Sequence, residues 1–150
     1  MTTPTLPDRR GPRPTTVGPA PHAQTSQVAP AHLQETLLAR GLALPLVDPG
    51  PSRVSVPGAR AFLLAPQAPT GPAAAFQADR EFAHLHPPAD GSLHMTLPDD
   101  VGHEAVTAGW AEPHPISGVP LVYGPRDEGE LETVWTLLLA SYRFALGGDR

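Results

Sequence analysis

The sequence predicts an α+β protein: an antiparallel sheet of four to six strands with helices packed mainly on one face, preceded by a disordered N-terminal tail. Three observations carry this reading. Residues 1–27 hold prolines at 4, 7, 12, 14, 19 and 21 and no Phe, Trp or Tyr. Such a stretch buries too little apolar surface of its own to offset its chain entropy. Ser92 to Leu97 alternates strictly, with Leu93, Met95 and Leu97 on one face and Ser92, His94 and Thr96 on the other. Leu131, Val134, Trp135, Leu138, Leu139 and Tyr142 recur at helical spacing. The domain plan is a tail over 1–27 and a single domain over 28–147.

Within that domain the elements follow from local chemistry. A helix starts near Pro30, where a missing N–H costs nothing in the first turn, and Gly41 is its predicted left-handed stop. Leu33, Leu37 and Leu38 form its apolar stripe. Residues 44–51 read as a turn-rich link. The runs 53–56 and 60–64 read as a hairpin, and 65–75 as a Pro/Ala/Gly surface loop. Residues 81–86 and 92–97 form the next hairpin around a five-residue turn at 87–91. After Pro98, Asp99 or Asp100 caps a helix with Val101, Ala105 and Val106 inward, ending near Gly109. Short strands follow at 111–114 and 119–123. Asp127 with Glu130 forms a capping box for the last helix.

Composition excludes several chemistries. The chain has 150 residues, no Cys, and Arg as all ten of its Lys+Arg cations. That removes disulfides, thiol nucleophiles, Cys-type metal sites, Schiff-base lysines and the phosphate-loop lysine. The net charge is −5. Arg9, Arg10 and Arg13 against Asp8 give the first 30 residues +2, which leaves −7 on the rest. An acidic domain is a poor match for phosphate backbones, so no nucleic-acid partner is expected. No apolar run approaches the ~20 residues of a membrane span, and no secretory h-region is present; no membrane partner and a cytoplasmic location are the expectations. Serine-triad, HExxH, GxSxG and Gly-rich phosphate motifs are absent.

One constellation carries chemistry. Closing the 87–91 turn as a simple hairpin sets His86 opposite Ser92 and His84 opposite His94. Phe82, His84, His86, Ser92, His94 and Thr96 then share one face, and the apolar set from Ala83 to Leu97 meets the two later helices. Opposed Cβ atoms lie ~5 Å apart and i, i+2 residues ~6.7 Å apart along a strand. Three imidazoles can therefore converge on one ion at ~2.1 Å per bond. His84, His86 and His94 are the candidate metal ligands and the candidate catalytic residues. A divalent transition metal is the candidate cofactor, with Zn, Fe, Ni and Cu all compatible. Glu81, Glu112 and His114 are candidate ligand-binding or outer-sphere residues. Against this stands the plain reading of polar residues on the open face of a half-buried sheet, or of one His serving as acid–base without metal. Trp110, Trp135 and Tyr142 read as core, and His32 and His103 as exposed.

The run Arg80-Glu81-Phe82-Ala83-His84-Leu85-His86, followed by Gly91, Ala111-Glu112-Pro113-His114, Asp127 and a helix ending Leu137-Leu138…Ser141-Tyr142, resembles the luciferase domain family of small bacterial and fungal proteins. The resemblance spans roughly 30–146 and is clearest from residue 80. It implies a site at position 94, where some members carry an acidic residue, since His and Asp both ligate metals. The Pro-rich turn and the missing Trp near Tyr123 depart from the family pattern. Two function classes follow: an enzyme or small-molecule binding protein using the His84/His86/His94 face, and a non-catalytic module that binds a protein partner through its acidic surface.

Overall fold

The computed structural model describes residues 3–148. Six strands form one antiparallel sheet: β3 (Val47–Pro51), β4 (Arg60–Leu64), β5 (Glu81–Leu85), β6 (Leu93–Met95), β8 (Pro120–Val122) and β7 (Ala111–Pro113), in that spatial order. Helices α1 (Ala31–Leu42), α2 (Asp99–Thr107) and α3 (Glu128–Leu146) complete the domain. Strands β1 (Thr16–Val17) and β2 (Ala23–Gln24) make a separate small hairpin. The α+β class and the strand number are as the sequence predicts.

The core lies between the sheet and the helical layer. Ala83, Leu85, Leu93 and Met95 are fully buried in it with Leu37, Val134, Leu137 and Leu138. Each fully buried Leu contributes about 1.5–3 kcal/mol relative to exposure, so this layer dominates the fold's stability. Helix α3 starts as expected: Asp127 accepts from the Glu130 N–H at 2.8 Å. The Glu130 side chain does not close the box on Asp127. It reaches one residue further back, to the Arg126 N–H at 2.9 Å, and also pairs with the Arg126 guanidinium. Gly147 ends the helix in the left-handed region, at φ 74°.

Residues 3–27 of the N-terminal tail are not disordered, which corrects the sequence reading; residues 1–2 lie outside the described residues. Leu6 is buried, and Trp110 Nε1 donates to the Pro7 carbonyl at 2.6 Å. The Arg9 N–H donates to Ala108 O at 2.9 Å, and Arg13 donates to Ala111 O at 2.7 Å. The segment builds no core of its own. It borrows one, laying an extended, Pro-stiffened chain over the end of α2 and the β7 edge, where free carbonyls accept from arginines.

Two local expectations also change. Gly41 is not a helix stop: α1 runs on to Leu42, and a Cβ at Gly41 would lie 2.3 Å from Phe62 Cε1. The residue is glycine because a phenyl ring occupies the space. Residues 47–51, read as a link, are strand β3, and Val47 to Pro51 pair with Leu64 to Arg60. Residues 53–56 are not its hairpin arm. Pro49 and Pro51 argue against a strand only in a sheet interior; β3 is an edge strand, where a missing donor is tolerated.

Candidate functional site

The hairpin register is the one that the alternation predicts. His84 pairs with His94 and Leu85 with Leu93, and the His86 N–H donates to Ser92 O at 2.9 Å. The line of pairing continues across the sheet from His94 to Leu121 on β8 and from Leu121 to Glu112 on β7. Paired residues share a face, so one side of the sheet carries His84, His94, Leu121 and Glu112 in a row.

Alternation fails at Phe82. The β4–β5 register shifts between Phe62 and Leu63: Phe62 pairs with Ala83, but Leu63 pairs with Glu81. The extra residue is a β-bulge, which re-aims side chains beside it. Phe82 leaves the imidazole face and joins the core against Phe62 and Tyr142, both at 6.2 Å between ring centroids. Glu81 turns onto the imidazole side, where its Oε2 lies 2.8 Å from His84 Nδ1.

The three predicted imidazoles are brought together. His84, His86 and His94 are buried, and one ligand atom from each lies within 4.8 Å of the others, a group that could hold a metal ion. Their hydrogen bonds decide which atoms face inward. His84 gives Nδ1 to Glu81, itself held by Ser52 Oγ at 2.7 Å and the Arg53 N–H at 2.9 Å. His84 Nε2 is left buried with no hydrogen-bond partner. His86 directs Nδ1 at Ser92 Oγ (2.9 Å) and Asp90 Oδ2 (3.2 Å), and its Nε2 lies 3.1 Å from His94 Nδ1. The carboxylate–histidine pairs at His84 and His86 are the outer-sphere arrangement that orients metal-bound imidazoles.

Electrostatics keeps His84 and His94 in their ligating form. Burial, then the neighbouring imidazoles of His86, His84, His22 and His114, push His94 down to about 2. His84 is also lowered, by burial first, with the Glu81 hydrogen bond opposing. Burial works against the charge on Glu81, yet hydrogen bonds from His84, the Arg53 N–H and Ser52 outweigh it and hold its carboxyl below the usual range. Asp90 is lowered by the same balance, with burial opposed by His86 and Ser92. A neutral imidazole at His84 backed by an ionised Glu81 is the state that metal binding requires.

The remaining candidates stand beside the cluster, and His114 lines the cavity with its ring centroid 5.6 Å from that of His94. Glu112 is on the β7 edge, accepting from Thr16 Oγ1 at 2.9 Å and from Tyr123 OH at 2.8 Å. His114 spends both nitrogens on backbone: Nε2 donates to Pro19 O at 3.0 Å, and Nδ1 accepts from the Ile116 and Ser117 N–H groups. It buttresses the N-terminal hairpin. His22 was missed, because it sits in a stretch that reads as tail. It is buried, with Nδ1 3.0 Å from His94 Nε2 and Nε2 2.9 Å from Glu112 Oε2. No signal in its own segment, which lacks aromatic residues and regular periodicity, points to it.

A cavity of about 890 Å³ opens over the cluster. Its walls come from the hairpin at Pro19–Gln24, from Val54–Val56, and from Phe76, Pro87 and Val119. Among the described lining residues Asp90 is the one carboxylate, and no Arg contributes.

The sheet, the helical layer and this cavity define a small α+β protein that presents a three-imidazole cluster to a largely apolar pocket. Residues 79–141 match the family model described as Luciferase domain, so the resemblance read from the sequence holds for this segment. Proteins named luciferase from Armillaria gallica and Armillaria mellea are each 39% identical to this chain over 71 residues, covering 41% of this chain and 27% of the relative. One from Neonothopanus nambi is 37% identical over 71 residues, again covering 27% of its length. The match thus spans about a quarter of the relatives' own length. No solved structure matches.

Proposed function

We propose that this chain holds a divalent transition metal on His84, His86 and His94, and that the open side of the ion faces a cavity for a small, neutral, largely apolar organic ligand. One observation carries the reading: His84 Nε2 is buried without a partner while its Nδ1 is tied to a carboxylate. An orphaned buried nitrogen costs about 1–3 kcal/mol, a cost removed when that lone pair binds an ion. Three protein ligands with an open position are the pattern of catalytic rather than structural sites. Bound there, the ion would supply Lewis acidity or redox chemistry. The chain's own residues orient it through Glu81 and Asp90 and line the cavity with Val54, Val56 and Phe76. Without an Arg or Lys in the lining, an anionic ligand would find no fixed positive charge but the ion, which favours a neutral one. The fungal relatives are named luciferases, and the matched segment contains all three imidazoles; that name supports an enzymatic use of the pocket.

Elemental analysis of the purified chain tests this. The expected result is close to one equivalent of a transition metal, absent from a His84→Ala/His94→Ala double variant that keeps its fold. A chain that stays metal-free when incubated with Zn²⁺, Co²⁺ and Fe²⁺, and that copurifies with a protein, would favour the interaction-module reading instead.

A further inference from the structure

Two of the three imidazoles are backed directly by a carboxylate: His84 by Glu81 and His86 by Asp90. His94 has none beside it. The nearest acid in its row is Glu112, and Leu121 stands between them. Two strand spacings separate β6 from β7, roughly 10 Å, and no hydrogen bond joins Glu112 to His94 directly. The N-terminal hairpin fills that gap with His22, which contacts His94 on one side and Glu112 on the other.

The proton positions follow from the partners. Ionised Glu112 only accepts, so His22 carries its proton on Nε2 and offers a lone pair at Nδ1. His94 must then donate from Nε2, which leaves Nδ1 as its lone-pair nitrogen. His94 Nδ1 is the atom 3.1 Å from His86 Nε2, on the side where the cluster converges. Glu112 is fixed for this task by Thr16 on the same hairpin and by Tyr123.

We propose that His22 is a positioning residue of the metal site, passing the charge of Glu112 to His94 so that His94 ligates through Nδ1. All three ligands then have an acid behind them, two directly and one through a second imidazole. This inference rests on the metal reading above. It adds that a segment outside the matched residues 79–141 is part of the site.

The test is Co²⁺ and Zn²⁺ affinity of the full chain, measured by titration against a chelator. Outer-sphere partners of ligating histidines typically contribute about 10–100-fold in affinity. His22→Ala should lose affinity in that range. His22→Gln, whose amide can accept from His94 and donate to Glu112, should recover most of it. Circular dichroism checks that each variant folds. A second readout needs no variant: histidine ¹⁵N spectra of the Zn²⁺-loaded protein should show His94 metal-bound at Nδ1 and protonated at Nε2, with His84 and His86 bound at Nε2. Unchanged affinity in His22→Ala, or His94 bound through Nε2, would overturn the role of His22 while leaving the metal site standing. A wild-type chain that binds neither ion would remove both.

Discussion

His94 is shifted far from its ordinary titration range, and its environment makes a sharp prediction. Burial and the four neighbouring imidazoles hold it near 2, while the unfolded chain titrates near its ordinary 6.5. As pH falls through 6.5 the unfolded state takes up the proton first, so acid favours unfolding. In metal-free protein the neutral His94 is fully tolerated above about pH 6.5, and stability falls progressively below it, by about 1.4 kcal/mol per pH unit for such a group. The urea midpoint should drop between pH 7 and 5, and the drop should be shallower in His94→Gln. Legibility at this scale was uneven. The pairing of His84 with His94 was readable because a five-residue turn and strict alternation fix the register. The bulge at Phe82 was not, because it arises from the pairing of β5 with β4, and nothing within 81–86 marks it.

Among the elements, α1 sets a second test. By helix propensity alone, Gly41→Ala should stabilise a helix interior by about 1 kcal/mol. The methyl would instead sit 2.3 Å from the buried Phe62 ring, with Leu138 at 3.2 Å behind it. Overpacking of this kind costs about 1–3 kcal/mol, so the steric effect wins and Gly41→Ala should lower the urea midpoint. The last helix offers a simpler case. Asp127→Ala removes the acceptor for the Glu130 N–H, and a loss of about 1 kcal/mol is expected by the same measurement. Both helices and the 92–97 strand were legible because each carries its periodicity within one segment. Strand β3 was not: Val47-Asp48-Pro49-Gly50-Pro51 has turn composition, and only its partner β4 and its edge position make it a strand.

On the scale of the whole molecule, the N-terminal segment decides whether the cavity is enclosed. Removing residues up to Gln27 would uncover Trp110, break the Arg13 contact with the β7 edge and strip one wall from the cavity. Such a truncated chain should show increased binding of a hydrophobic dye and a lower melting temperature than the intact chain, by differential scanning fluorimetry. Equal values for both would mean that the segment contributes nothing to closure. Its order escaped the sequence reading because composition reports what a segment can bury by itself, whereas Leu6, Arg9 and His22 are buried by surfaces built from residues 94 to 124. Among the described residues no helix is long and apolar enough to cross a membrane.

The contact between His22 and Glu112 joins positions 90 apart along the chain. During synthesis from the amino end, His22 leaves the ribosome long before the strand it rests on exists. It must therefore wait, solvated and uncommitted, until the edge strand has been translated and paired. The wall that His22 supplies to the pocket can thus be set in place only once nearly three quarters of the chain has been made.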